Sequence, residues 1–223
     1  LARLVKQQKQ AKAEGEAMDL QHGLPYARGK MVVKSGGYEE CKDASVVVIT
    51  AGVTMKEGET RLDIAAKDTM IIKSVTENIM KSGFDGIIVV ASNPVDSMTY
   101  VAQKVSGLPK ERVIGSGTIL DTARLRYLMS EYLNISSNNI HAYIMGEHGD
   151  SEFVPWSQAM MATKPIFDLC SETEGCHFQA LLEIEEEVRL AAYKIIEAKR
   201  ATYYGIGMAM ARITKAIFGN DYS

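Results

Sequence analysis

An α/β chain built on a Rossmann-type, doubly wound parallel sheet is the fold this sequence predicts, and two patterns carry the prediction. Short runs that are apolar throughout alternate with helix-period segments, and small or polar residues close each run. Val46-Val47-Val48-Ile49 ends at Thr50-Ala51-Gly52, Ile87-Ile88-Val89-Val90 ends at Ala91-Ser92-Asn93-Pro94, and Val113-Ile114 ends at Gly115-Ser116-Gly117. A strand without polar alternation is covered on both faces, as a parallel strand between two helix layers is. Strand and helix in strict alternation then give the doubly wound sheet.

The helices follow in order. Leu62 to Ser82 is a long one, stopped at Gly83. Pro94 suits a first helical position with Asn93 as its cap, and Val95, Met98, Val101, Ala102 and Val105 form the apolar stripe. Residues 119–133 carry a stripe of Leu120, Leu125, Leu128, Met129 and Leu133. Phe178 to Arg200 reads as one charged amphipathic helix, with Glu183-Ile184-Glu185-Glu186-Glu187 as its solvated face.

In such sheets a ligand sits beyond the carboxyl ends of the strands, and the chemistry-bearing residues fall there. Gly146-Glu147-His148-Gly149-Asp150 closes an apolar run, Ile140 to Met145, that reads as the end of a further parallel strand. The flanking glycines allow a sharp turn and leave room beside the ring. Asp121-x-x-Arg124 lies upstream, and Asn93 and Arg61 occupy two other strand-end loops. The set supplies one proton carrier, one acid to orient it, two arginines for an anionic oxygen-rich substrate, and a polar amide. Asp121 and Arg124, three apart, share a helix face. Arg126 points roughly 200° round the helix from Arg124, so the two arginines serve different sites.

Bulk properties narrow the class. A chain of 223 residues makes one large domain or two small ones. A net charge of -3 argues against nucleic acid or an anionic membrane as the main partner. No uncharged apolar run approaches the roughly 18 residues of a membrane span. Leu1 to Val5 lacks the apolar core and cleavage site of a signal peptide. Cys41, Cys170 and Cys176 have no metal-type spacing, and an odd, scattered set suggests a reducing compartment. No metal site is expected.

Seven segments, in order, resemble the lactate/malate dehydrogenase family. They are Ala13-Glu14-Gly15-Glu16-Ala17-Met18-Asp19-Leu20, Thr50-Ala51-Gly52, Gly58-Glu59-Thr60-Arg61-Leu62, Ser92-Asn93-Pro94-Val95-Asp96, Leu120-Asp121-Thr122-Ala123-Arg124, Gly146-Glu147-His148-Gly149 and Ala201-Thr202-Tyr203-Tyr204-Gly205. The resemblance implies a dinucleotide-binding domain over residues 1–115 and an α+β substrate domain over 116–223. It implies NAD as cofactor, a small 2-oxo or 2-hydroxy acid as substrate, a cytoplasmic homotetramer, and interconversion of pyruvate and L-lactate. By the same resemblance His148 exchanges a proton with the substrate oxygen and Asp121 orients its ring. Arg124 binds the substrate carboxylate. Arg61 polarises the carbonyl from a mobile loop, Met55 to Arg61, that closes over the substrate. Asn93 bonds the substrate oxygen and Thr202 lines the pocket. Thr50, Ala51, Gly52, Ala91 and Asn93 lie against the dinucleotide, and Ser116 against its nicotinamide amide. Arg126 and His141 stand where members activated by fructose 1,6-bisphosphate carry an Arg and a His, which implies an allosteric anion site at a subunit interface.

Three departures from the family pattern bear on these expectations. No G-x-G-x-x-G is present, although that turn and helix start hold a pyrophosphate. The strand preceding it is central in the family's sheet, and removing a central strand would leave two buried edges unpaired. The natural protein is therefore expected to extend beyond both ends of this chain, the fold here being incomplete at each. Lys6-Gln7-Gln8-Lys9 offers no acid for an adenosine ribose, so NAD over NADP rests on the resemblance. Met55 stands where lactate enzymes usually carry glutamine and malate enzymes arginine. An uncharged, flexible side chain there disfavours oxaloacetate and suggests tolerance of branched or longer 2-oxo acids. A third possibility, a non-catalytic or structural use of the fold, fits the absent nucleotide loop. The intact His148, Asp121, Arg124, Arg61 and Asn93 speak against it.

Overall fold

The computed structural model describes residues 2–5, 10–27, 29–53, 61–173 and 175–221, with backbone alone at 2–5 and 61–63. The chain forms two compact units, one of residues 1–93 and 97–114, the other of residues 94–96 and 115–223.

The first unit is built on parallel strands. Strand β1 (Ala2–Val5) pairs with β2 (Val33–Gly36), and helix α1 (Gln10–Gly23) lies between them in sequence. Strand β3 (Val46–Ile49) runs parallel to β4 (Ile87–Val90), with Val46 opposite Ile87, and β5 (Val113–Gly115) completes the order β3-β4-β5. Ile88, Val89 and Val90 are each 0% exposed, the double-sided burial that their unbroken apolar run requires. Helix α2 (Arg61–Lys81) lays Ile72, Val75 and Ile79 on this core, and α3 (Val95–Ser106) adds Met98 and Ala102. Helix α2 ends where Gly83 takes a φ of +85°, its N–H bonding the Met80 carbonyl. The sequence-predicted helices and strand runs of this unit are the observed ones, and the parallel α/β class holds.

The second unit contains helices α4 (Ile119–Leu133), α5 (Ile166–Glu172), α6 (Phe178–Lys199) and α7 (Tyr204–Gly219). Its sheet is small and antiparallel, with β6 (Ile140–His141), β7 (Met160–Met161) and β8 (Lys164–Pro165) in that order. The run Ile140 to Met145 is thus not the parallel strand that its apolar character suggests. Ile140, Ala142 and Ile144 are buried while His141, Tyr143 and Met145 are exposed. This period-2 burial is the mark of a segment covered on one face only. Tyr143 and Met145 masked the alternation because they are apolar side chains on the outer face.

A core of Leu125 and Met129 from α4, Ile140, Ile144, Trp156, Met161 and Ile166, and Leu181 and Val188 from α6 holds the unit together. Helix α6 does not present Glu185 to solvent, as its charged run implies. The Glu185 carboxylate accepts the Trp156 indole N–H at 2.7 Å and the Val154 N–H at 3.2 Å. Those two donors would otherwise be stranded in the core, so a polar residue is required on that face. Cys170 and Cys176 form a disulfide across the α5–α6 connection and Cys41 is free and buried, so the cysteines are not all unpaired. Among the described residues no helix is long and apolar enough to cross a membrane.

The β3–β4 ladder depends on a close backbone approach. The Ile87 N–H bonds the Ser45 carbonyl at 3.0 Å, and a Cβ added to the preceding Gly86 would lie 2.5 Å from that same oxygen. Gly86→Ala is therefore expected to destabilise the fold by about 1–3 kcal/mol through overpacking. A urea unfolding midpoint unchanged from that of the parent would contradict it.

Candidate active site

Helix α4 is the platform of the site. Its N-cap Thr118 and, in its first turn, Thr122 grip the segment leading to His148. The Thr118 hydroxyl donates to the Ile144 carbonyl at 2.7 Å, and the Thr122 hydroxyl accepts from the Ile144 N–H at 3.0 Å. Beyond Ile144 the chain turns back on itself, with Met145 and Phe153 exchanging backbone hydrogen bonds of 2.9 and 3.0 Å. Gly146 (φ +95°) and Gly149 (φ +140°) make the turn, in backbone conformations that a side chain would strain. His148 sits between them, its N–H bonded to the Asp96 carboxylate at 3.1 Å.

The side chain of His148 then meets α4. Its Nδ1 lies 2.7 Å from Asp121 Oδ2, and the other Asp121 oxygen accepts from Arg124 Nη1 at 2.9 Å. A carboxylate only accepts, so Nδ1 carries the proton and Nε2 is the nitrogen left for a substrate. The Asp121 side chain is 2% exposed, against 14% for Arg124 and 25% for His148. The site is thus a buried acid with two partly accessible cations. A second carboxylate, Glu152, approaches Nδ1 at 3.7 Å. The hydrogen bond to Asp121, and after it the nearby Glu152 carboxylate, raise the His148 pKa from 6.5 to about 10, with burial opposing them and the two negative charges adding to them. His148 is an imidazolium at neutral pH, which makes it a ready proton donor.

The other sequence-predicted residues fall into three groups. Ser116 is buried just ahead of α4, and Thr202 is half-buried just ahead of α7. Helix α7 is packed on the start of α4, since a Cβ on Gly205 would meet the Leu120 side chain at 3.0 Å. Arg126 is turned away from Asp121, as its place on the helix requires. Its Nε donates to the Ala142 carbonyl at 3.1 Å, its guanidinium covers the Tyr143 ring at 4.6 Å, and the neighbouring His141 is exposed. Thr50, Ala51 and Gly52 follow β3, and Ala91 and Asn93 follow β4, all in the first unit. Arg61 begins α2, with its side chain outside the described residues; Met55 and the rest of the loop over 54–60 lie outside them altogether.

Five residues that shape these sites escape a sequence reading. Glu152, Asp96, Thr118 and Thr122 hold the His148 turn, and in the first unit buried Asp68 accepts the Val53 N–H at 2.9 Å to fix the loop after β3. Only Glu152 carries a local signal, a fourth-residue spacing from His148 that in a turn means little.

The first unit also fits a dinucleotide. Thr50 and Gly52 are exposed at the end of β3 and Asn93 at the end of β4, where a parallel sheet takes its ligand. Beside Asn93 the Ser92 hydroxyl is buried and has no hydrogen-bond partner among the described residues. An unpaired buried hydroxyl at a strand end is a group a ligand would complete.

Comparison with known proteins bears on both units. The family profile for the lactate/malate dehydrogenase NAD binding domain matches residues 2–115, and that for the lactate/malate dehydrogenase alpha/beta C-terminal domain matches residues 118–222. The chain is 54% identical over 214 residues to L-lactate dehydrogenase 2 of Bacillus cereus, covering 96% of this chain and 68% of that protein. Among solved structures, a lactate dehydrogenase from a Medee basin deep-sea metagenome library superposes with a TM-score of 0.95 at 57% identity, covering 100% of this chain and 71% of that one. The minor L-lactate dehydrogenase of Enterococcus mundtii, in its ligand-bound form, gives a TM-score of 0.92 at 46% identity over 97% of this chain and 69% of its own.

The raised His148 pKa ties stability to pH. A group with a higher pKa folded than unfolded contributes stability that is full below pH 6.5 and disappears as pH rises through about 10. The unfolding free-energy gap between the parent and His148→Gln should therefore shrink from pH 6 to pH 10 in urea titrations. A gap that stays constant or widens would contradict the assignment.

Proposed function

The chain belongs to the lactate/malate dehydrogenase family, and from that premise we propose that it interconverts pyruvate and L-lactate by hydride transfer with NADH and NAD. The observation that carries this reading is the Asp121–His148 pair with Arg124 on the same carboxylate. NADH supplies the hydride when bound, Thr50, Ala51, Gly52, Ala91 and Asn93 being the residues that would hold it, with Ser116 against the nicotinamide amide.

The protein side of the reaction follows from the donors in place. The Arg124 guanidinium has five N–H donors, and the bond to Asp121 uses one. A planar fork of this kind binds the pyruvate carboxylate through two parallel bonds, which a lysine could not make. The carboxylate so anchored, the carbonyl oxygen takes the proton from Nε2 of His148 as the carbonyl carbon is reduced. The imidazole is left neutral, its Nδ1 proton still donated to the Asp121 carboxylate. In the reverse direction neutral His148 takes the hydroxyl proton of lactate. Arg61 and Asn93 would stabilise charge on the substrate oxygen, Thr202 would line the pocket, and Met55 would leave room for acids larger than pyruvate. We place the protein in the cytoplasm as a homotetramer.

Arg126 and His141 support a separate regulatory reading, an anion site for fructose 1,6-bisphosphate at a subunit interface. Arg126 is anchored on the carbonyl of the residue next to His141, so two groups able to carry positive charge stand side by side away from the catalytic pair.

The testing experiment is the loss of NADH absorbance with pyruvate, and with 2-oxoisocaproate beside it. Turnover of pyruvate is expected, and His148→Gln should lower kcat by about 10²–10⁴. Loss of less than tenfold would remove His148 from the proton transfer. No turnover of either acid by the parent would sink the dehydrogenase reading. Fructose 1,6-bisphosphate should lower the half-saturating pyruvate concentration, and Arg126→Gln should abolish that response while keeping turnover. A response retained in the variant would place the effector elsewhere.

A further inference from the structure

We propose that Glu152 is a positioning residue for the proton transfer, a second carboxylate that holds the His148 ring and keeps it protonated, and that helix α6 holds Glu152 in place. The inference rests on the reading of His148 as proton donor.

Glu152 is 5% exposed, so its carboxylate needs compensation. Among the described residues its one ion pair is with His148, at 3.7 Å from Nδ1. The same oxygen, Oε2, lies 3.4 Å from the Gly149 N–H, and the Glu152 N–H bonds back to the Gly149 carbonyl at 3.1 Å. The carboxylate thus spans the glycine that follows His148 and the ring itself. Its main chain is fixed from α6, where Arg189 Nη2 donates to the Glu152 carbonyl at 3.2 Å. Glu185 lies 3.5 Å from Arg189 and Glu186 pairs with it as well, while Glu185 also holds Val154 and Trp156. The acidic run of α6 is thereby part of the support of the catalytic turn.

Charge explains why a second acid is useful. Arg124 sits 2.9 Å from Asp121 and takes up part of the negative charge that would otherwise favour the imidazolium. Asp121 and Arg124 face His148 from α4, and Asp96 bonds its backbone from the start of α3. Among the described residues no arginine pairs with the Glu152 carboxylate, so its charge acts on His148. Arg124 can then stay close enough to share a substrate with His148 without making the imidazolium unstable. An opposite charge at this range moves a pKa by about 1–3 units.

Two readouts on the purified full chain test this, one of them independent of turnover. Glu152→Gln keeps shape and removes charge; Glu152→Asp keeps charge and shortens reach. In the pH profile of kcat/KM for pyruvate, the alkaline limb should fall by about one pH unit or more in Glu152→Gln and return part of the way in Glu152→Asp. Carbethoxylation of His148 by diethyl pyrocarbonate, followed by peptide mass at pH 7, reads the neutral imidazole directly. Its rate should rise about tenfold in Glu152→Gln, one pKa unit being a factor of ten. The rates of exposed His141 and His22 serve as internal controls and should not change. A limb and a His148 rate that both match the parent would overturn the proposal. A raised His148 rate in protein that turns over no pyruvate would uphold the role of Glu152 and reject the dehydrogenase reading instead.

Discussion

The buried carboxylate of Asp121 is the constraint that the second unit is organised around. Its side chain is 2% exposed, and His148 and Arg124 each bond one of its oxygens. Removal of either leaves a charge in the interior, so the three residues stand or fall as one group. The acid cannot move to suit them either. It lies in the first turn of α4, on the same face as Leu125 and Met129 four and eight residues on, and those two side chains are fully buried.

The same constraint explains the unusual care spent on the chain between residues 140 and 156. A histidine in a free turn would not meet Asp121 at 2.7 Å. Thr118 and Thr122 bind Ile144 from one side, Glu185 binds Val154 and Trp156 from the other, and the Met145–Phe153 pair closes the turn between. The turn is therefore clamped at both of its stems, while its tip is left to two glycines. Precise placement of one imidazole thus draws on α4, which also carries Asp121 and Arg124, and on α6, which contributes no atom to the site.

Much of this was legible in the sequence, and the part that was not has a common physical reason. Helices α2, α3, α4 and α6 are read correctly because a stripe at 3.6-residue spacing survives any tertiary context. Strands β3 and β4 are read correctly because burial on both faces writes an unbroken apolar run. The segment at 140–145 fails because apolar residues on its exposed face imitate that run. His148, Asp121 and Arg124 stand out as polar residue types at strand ends and on one helix face. Glu152, Glu185, Thr118 and Thr122 do not, since each acts on a partner more than one turn away or through a backbone group. A carboxylate that serves a buried indole is spelled no differently from one that faces water.

A raised histidine pKa also shapes the reaction in both directions. In the proposed reaction, His148 held near pKa 10 would already carry the proton that reduction consumes. The oxidation of a hydroxyl acid needs the opposite form, and the fraction of neutral imidazole at pH 7 is on the order of one in a thousand. In the proposed reaction a substrate carboxylate on Arg124 would add a further negative charge nearby and deepen that bias. Oxidation would therefore start from the minor, neutral form of His148, whereas reduction would proceed from the form that the fold already stabilises. The two carboxylates that orient the ring thus also decide which half-reaction begins from the ground state of the protein.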